Sequence, residues 1–147
     1  MSGSIVVACK QALVTLLQGR PALSSVQVSY GWPGEDAVQP ERIFCGRTRA
    51  DHEQAALKAG RRFRNETATF EVVIQTLLLN KTPEDAEERA LELGKEVEEC
   101  VADNKTLGGV TGLQWAVISG WDMNSGQNEH GSVADLAYTL TYSARLT

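Results

Sequence analysis

Cysteine is scarce and scattered: Cys9, Cys45 and Cys100 are the only three, and no two stand in a C-x-x-C. That supports neither a zinc knuckle nor a redox pair; it fits buried free thiols acting as small hydrophobes in a reducing cytosol. Histidine is scarcer. His52 and His130 both fall in stretches read as loops, with no cysteine, histidine or carboxylate at ligand spacing, which is short of the donors a metal requires. Glu129-His130 reads as a solvated pair rather than a general base. Long apolar runs are also missing. The stretch Ile5 to Leu17 is interrupted by Lys10 and Gln11 and is too short to span a bilayer, and no signal peptide is visible.

Catalytic signatures are equally lacking. There is no G-x-S-x-G elbow, Walker loop or dinucleotide fingerprint. Gly108-Gly109-Val110-Thr111-Gly112 is glycine-rich, but no helix follows to receive a phosphate, so it reads as a turn. Cys45-Gly46 has no positioned histidine. With no nucleophile and base in one pattern, neither an enzyme nor a cofactor is expected.

What is present is an ordinary globular composition. The chain has 147 residues, of which 42% are hydrophobic and 22% charged. That is one domain's worth, and a chain of this size buries roughly 68–70% of its unfolded surface. The net charge of −5 argues against a general nucleic-acid binder. Its distribution is uneven. Arg42, Arg47, Arg49, Lys58, Arg61, Arg62 and Arg64 make the middle third basic. Glu84, Asp85, Glu87, Glu88, Glu92, Glu96, Glu98 and Glu99 make the next stretch acidic. One reading is two solvated faces; the other is two copies meeting basic patch to acidic patch.

Residues 4–18 read as a helix with Ser4 at its N-cap, an apolar stripe through Ile5, Cys9, Ala12 and Leu16, and a stop at Gly19. Ser25 to Tyr30 is a short strand, broken by Gly31-Trp32-Pro33-Gly34, and a polar loop follows to Pro40. Arg42 to Cys45 is another short strand, ending at Gly46. Asp51 to Ala59 reads as either a short helix or a loop. Arg62 to Leu79 is the strongest strand: Ala68, Phe70, Val72, Ile74 and Leu78 share a face opposite Asn65, Thr67, Thr69, Glu71 and Gln75. Its length predicts that it projects beyond its sheet at the Arg61–Arg64 end.

Thr82-Pro83-Glu84-Asp85 is a helix start, with a capping hydroxyl, a proline in the first turn and acids at the positive end of the dipole. Ala86, Ala90, Leu93, Val97 and Cys100 or Val101 carry its apolar stripe, and Gly94 mid-helix suggests close packing on a sheet. Leu113 to Trp121 and Val133 to Leu146 are the last strands, joined by a long polar connection, Asp122 to Gly131. Trp115 is expected in the core. Trp32 and Trp121 are lids or interface anchors, with the lid favoured. The order α-β-β-β-α-β-β predicts an α+β fold: one mainly antiparallel β-sheet with two α-helices packed on one face, in a single domain over 1–147.

Several features of this layout occur together in one known group. They are the short N-terminal helix, Val26-Gln27-Val28-Ser29-Tyr30-Gly31-Trp32-Pro33, Arg64-x-Glu66 before Phe70-Glu71-Val72-Val73-Ile74, the acidic helix with Ala86, Arg89 and Ala90, Thr106-Leu107-Gly108-Gly109, and the close Tyr142-Ser143-Ala144-Arg145-Leu146. Over nearly its whole length the chain resembles the tail terminator, or tail completion, proteins of siphovirus-type long-tailed bacteriophages. The resemblance implies a hexameric ring of self-contacts on the head-proximal end of the tail tube. The ring touches the tail tube protein and the head–tail connector or stopper, and DNA passes through it with transient, non-specific contact. The protein would be made in the host cytoplasm and reside in the virion, with no membrane, metal or catalytic residue. Arg61, Arg62, Arg64, Glu88, Glu92 and Glu99 are then assigned to a subunit contact or the lumen. Trp32, Glu35, Asp36, Trp121, Asp122, Asn124, Glu129 and His130 are assigned to partner-contact loops. The alternatives are another neck, head-completion or minor tail protein, and, in a different class, a small-molecule-binding or enzymatic α+β domain.

Overall fold

The computed structural model describes residues 3–34, 39–58 and 61–146, with the backbone alone for 53–58 and 61–63. The elements are α1 (Val6–Gln18), a 3₁₀ turn (Pro21–Leu23), β1 (Gln27–Ser29), β2 (Glu41–Lys58), β3 (Arg61–Leu78), α2 (Pro83–Asp103), β4 (Leu113–Asn128) and β5 (Gly131–Leu146). The strands form one five-stranded sheet in the order β1-β2-β3-β5-β4. Only β1 against β2 is parallel; the other three pairings are antiparallel. The fold is α+β, with both helices on one face.

That face is set by strand alternation. Ala68, Phe70, Val72 and Ile74 of β3 and Leu136, Tyr138, Leu140, Tyr142, Ala144 and Leu146 of β5 are buried. The helices close over them with Cys9, Leu13, Leu17, Ala86, Ala90, Leu93, Val97, Cys100 and Val101. All three cysteines are free and buried. Burial pushes the Cys9 and Cys45 thiols up to about 12 and about 11, so they are neutral core groups.

Thr82 caps α2: its Oγ1 accepts from the Asp85 N–H at 3.2 Å, and the Asp85 carboxylate accepts from the Thr82 N–H at 3.1 Å. The pair closes a reciprocal capping box with Pro83 in the first turn. Thr82→Ala is expected to cost about 1 kcal/mol of unfolding free energy, measured by urea denaturation.

Four expectations are corrected. The strand at Arg42 does not stop at Gly46. A bulge between Cys45 and Thr48 carries it on to Lys58, and Asp51–Lys58 is strand rather than helix or loop. The long connection after Trp121 is likewise strand: β4 continues to Asn128, and only Glu129 and His130 turn the chain into β5. The N-cap of α1 is Ile5 rather than Ser4, although the Ser4 Oγ accepts from the Val6 N–H at 3.2 Å. Trp115 is half-buried at the sheet edge, beside a bulge between Leu113 and Trp115. The predicted overhang is present: β5 pairs with β3 only from Arg64 onward, so Arg61–Phe63 are paired with β2 alone among the described strands.

Candidate functional surfaces

The densest polar cluster in the described structure centres on Glu66, which alternation places on the helix-covered face of β3 and which is 0% exposed. Its Oε1 accepts from the Ser4 hydroxyl at 2.9 Å, the Ile5 N–H at 3.3 Å and the Tyr142 hydroxyl at 2.5 Å. Its Oε2 lies 2.7 Å from His52 Nε2, and Arg64 Nη1 lies 3.4 Å from His52 Nδ1. Burial raises the Glu66 pKa, but the donors Tyr142, His52, Ser4 and the Ile5 N–H outweigh it and hold the carboxyl below its usual range. Burial, then the bond to Glu66, pushes Tyr142 up. One carboxylate thus ties the start of α1 to β2, β3 and β5.

This corrects the reading of His52 as a loop histidine without a carboxylate partner. The signal available in the sequence was position 66 itself, a glutamate in phase with Ala68, Phe70 and Val72. Among the described residues no three His, Cys, Asp or Glu side chains gather to hold a metal, and no helix is long and apolar enough to cross a membrane.

The remaining features lie along the sheet's two edges. Among the described strands β4 pairs only with β5 and forms one edge. Its Ala116 N–H is taken by the Lys105 carbonyl at 2.8 Å. Val117 and Trp121 stand 47% and 50% exposed along it, with Leu91 of α2 also exposed. Between the end of α2 and this edge is a groove of about 610 Å³, lined by Glu98, Val101, Ala102, Lys105 and Trp115–Ile118. Glu87 accepts from the Ser125 hydroxyl at 2.8 Å, so it too faces β4.

The other edge begins at β1, which covers β2 only from Arg42 to Phe44. Beyond the bulge, β2 pairs with β3 alone among the described strands. Exposed Tyr30 and Trp32 stand here. The Trp32 ring packs edge-on against Phe44 at 5.4 Å, and the Arg42 guanidinium sits 5.1 Å over it. Arg47 and Arg49 are exposed. Lys10, buried under this edge, reaches across from α1: its Nζ donates to the Gly46 carbonyl at 3.1 Å and lies 5.6 Å from the Tyr30 and Phe70 rings.

The singled-out residues distribute as follows. Arg61 and Arg62 pair with Lys58 and Leu57 at the β2–β3 tip, and Arg64 pairs with Gln54 and Leu146. Glu88 is exposed on α2, whereas Glu92 is bound by Arg89 at 2.9 Å and Glu99 by Arg20 at 3.4 Å and Lys95 at 3.9 Å. Part of the acidic helix is therefore neutralised within the chain. Trp121, Asp122, Asn124, Glu129 and His130 share one hairpin, with Trp32 at the opposite edge. His130 Nε2 lies 3.4 Å from Glu129 Oε1, both well exposed. Trp32 and Trp121 are each about half exposed, with the Trp32 ring laid against Phe44. Glu35 and Asp36 lie outside the described residues.

No family model matches the chain, and no curated protein matches it in sequence. Among solved structures, its fold is similar to that of a chain in the virion of a native gene transfer agent particle. The TM-score is 0.55 at 13% identity, over 97% of this chain and 100% of that one. At that identity the likeness is one of fold.

Proposed function

We propose that the chain is a structural protein of a phage-like virion and, within it, the tail terminator: the ring that caps the head-proximal end of the tail tube, halts tube growth and presents a surface to the head connector. The observation that carries this reading is the end-to-end fold likeness to a chain of a gene transfer agent virion. The surfaces support it. Exposed Tyr30, Trp32, Val117 and Trp121 lie along sheet edges, and the carboxylate at the centre of the best-connected titratable cluster, Glu66, is buried, with His52 at the cluster's exposed rim. Its chemistry is that of a brace, so the protein acts by contact and not by catalysis. Its partners in this reading are copies of itself, the tail tube protein and the connector, with DNA passing through, and it resides in the virion.

Deleting the gene and imaging the particles by electron microscopy tests the reading. The expected result is tubes of uncontrolled, excessive length. Tails of normal length left unattached beside filled heads would overturn it in favour of a neck or head-completion role.

A further inference from the structure

We infer that the two sheet edges are the two halves of one self-contact: the free stretch of β4 in one copy takes the free stretch of β2 from the next copy as an added strand. The inference rests on the ring reading above and names its interface.

Strand direction permits it. Each of β3, β5 and β4 runs antiparallel to the strand before it in the sheet, starting from β2, so β4 runs opposite to β2. A second copy in the same orientation therefore brings its β2 alongside β4 as an antiparallel neighbour, and every helix stays on the same side. Different patches meet at such a contact, so repeating it generates a ring when the rotation closes.

The β4 edge is poorly guarded for a strand that faces water. Its sixteen residues contain no proline and one charge, Asp122. Its pairing with β5 is interrupted by two bulges, Leu113/Trp115 and Ile118/Gly120, and beyond Gly120 the ladder is regular to Asn128. Sheet edges that remain single carry lysines, prolines or charges directed inward; here Val117 and Trp121 are half exposed instead. The flanking charges are complementary. Glu87 and Glu98 of α2 border β4 and Asp122 lies on it, whereas Arg42, Arg47 and Arg49 lie on β2. Lys105 beside β4 and Glu41, Asp51 and Glu53 on β2 are the exceptions, and Lys58 adds a further base to β2.

The geometry adds a constraint. The unpaired stretch of β4, residues 118–128, is level with Phe70 to Leu78 of β3, and that of β2 is level with Arg61 to Phe70. The next copy must therefore be displaced along the strand direction. In a closed ring that displacement inclines the strands to the ring axis, as stagger does in any barrel.

Sedimentation velocity and electron microscopy of the whole chain, from micromolar to millimolar at low salt, test this. Wild type is expected to associate into rings, less so at high salt. Arg47→Glu with Arg49→Glu, and separately Glu87→Lys with Asp122→Lys, are each expected to weaken association about tenfold or more while keeping the wild-type circular dichroism. Mixing the two variants restores complementary charge at every contact, so alternating rings are expected to return. Rings that persist in both variants, or variants that do not rescue each other, would overturn the edge assignment and leave the ring reading standing. Wild type monomeric at every concentration would overturn both.

Discussion

Gly94→Ala is expected to destabilise the protein by about 1–2 kcal/mol, although alanine is intrinsically about 1 kcal/mol better than glycine inside a helix. The reason is the floor beneath α2. A Cβ at position 94 would stand 2.3 Å from Tyr138 Oη, 2.7 Å from Cε2 and 2.8 Å from Cζ. The Tyr138 ring is 1% exposed and belongs to β5, which is held on both sides by β3 and β4. Neither ring nor strand has room to retreat, and overpacking of this kind costs about 1–3 kcal/mol. Urea denaturation measures the loss. In a Tyr138→Leu background the sign reverses, because the alanine then gains its helix preference without the collision. A stabilised Gly94→Ala in the native background would show that α2 does not rest on Tyr138 as described.

The second large effect is at Glu66. Glu66→Ala leaves the Tyr142 hydroxyl, the Ser4 hydroxyl, the Ile5 N–H and His52 without their shared acceptor, and is expected to cost about 3 kcal/mol. Because the folded carboxyl titrates below its usual range, its contribution is complete above the unfolded pKa of about 4.3 and is lost as pH falls through the lower folded value. Stability measured across the acid range should fall in wild type. In Glu66→Gln that part of the fall should disappear. An unchanged acid profile in Glu66→Gln would mean that the carboxyl titrates alike in the folded and unfolded chain, without the downward shift described.

These two sites mark where the fold was legible in the sequence. Gly94 was readable as a close-packing point because Ala86, Ala90, Leu93 and Val97 defined the buried stripe around it. β3 and β5 were readable because one face of each is buried along most of its length, which imposes strict alternation. The continuation of β2 was not readable. Arg47, Thr48, Arg49, Ala50, Asp51 and His52 are all exposed, so neither face selects for apolar side chains, and the segment is held by its backbone ladder to β3. The second half of β4 was hidden for the same reason: between Trp121 and Asn128 only Met123 and Gly126 are better than exposed. Both misread segments lie on edge strands of the sheet, and the residues assigned to partner-contact loops at 121–130 belong to one of them and its turn. Glu66 stayed hidden because a lone acid in an apolar register is identifiable as buried only once its donors, from positions as distant as Ser4 and Tyr142, are known.

The position of β5 has a consequence for biosynthesis. It is the last strand of the sheet to leave the ribosome, yet it occupies the place between β3 and β4. Until it arrives, β3 presents one unsatisfied backbone margin and an apolar row from Ala68 to Ile74 to the surrounding solution. Sheets that close by such distant pairing form slowly and are vulnerable to clumping while they wait. A stop codon ahead of Val133 would therefore remove the keystone of the sheet along with its final strand.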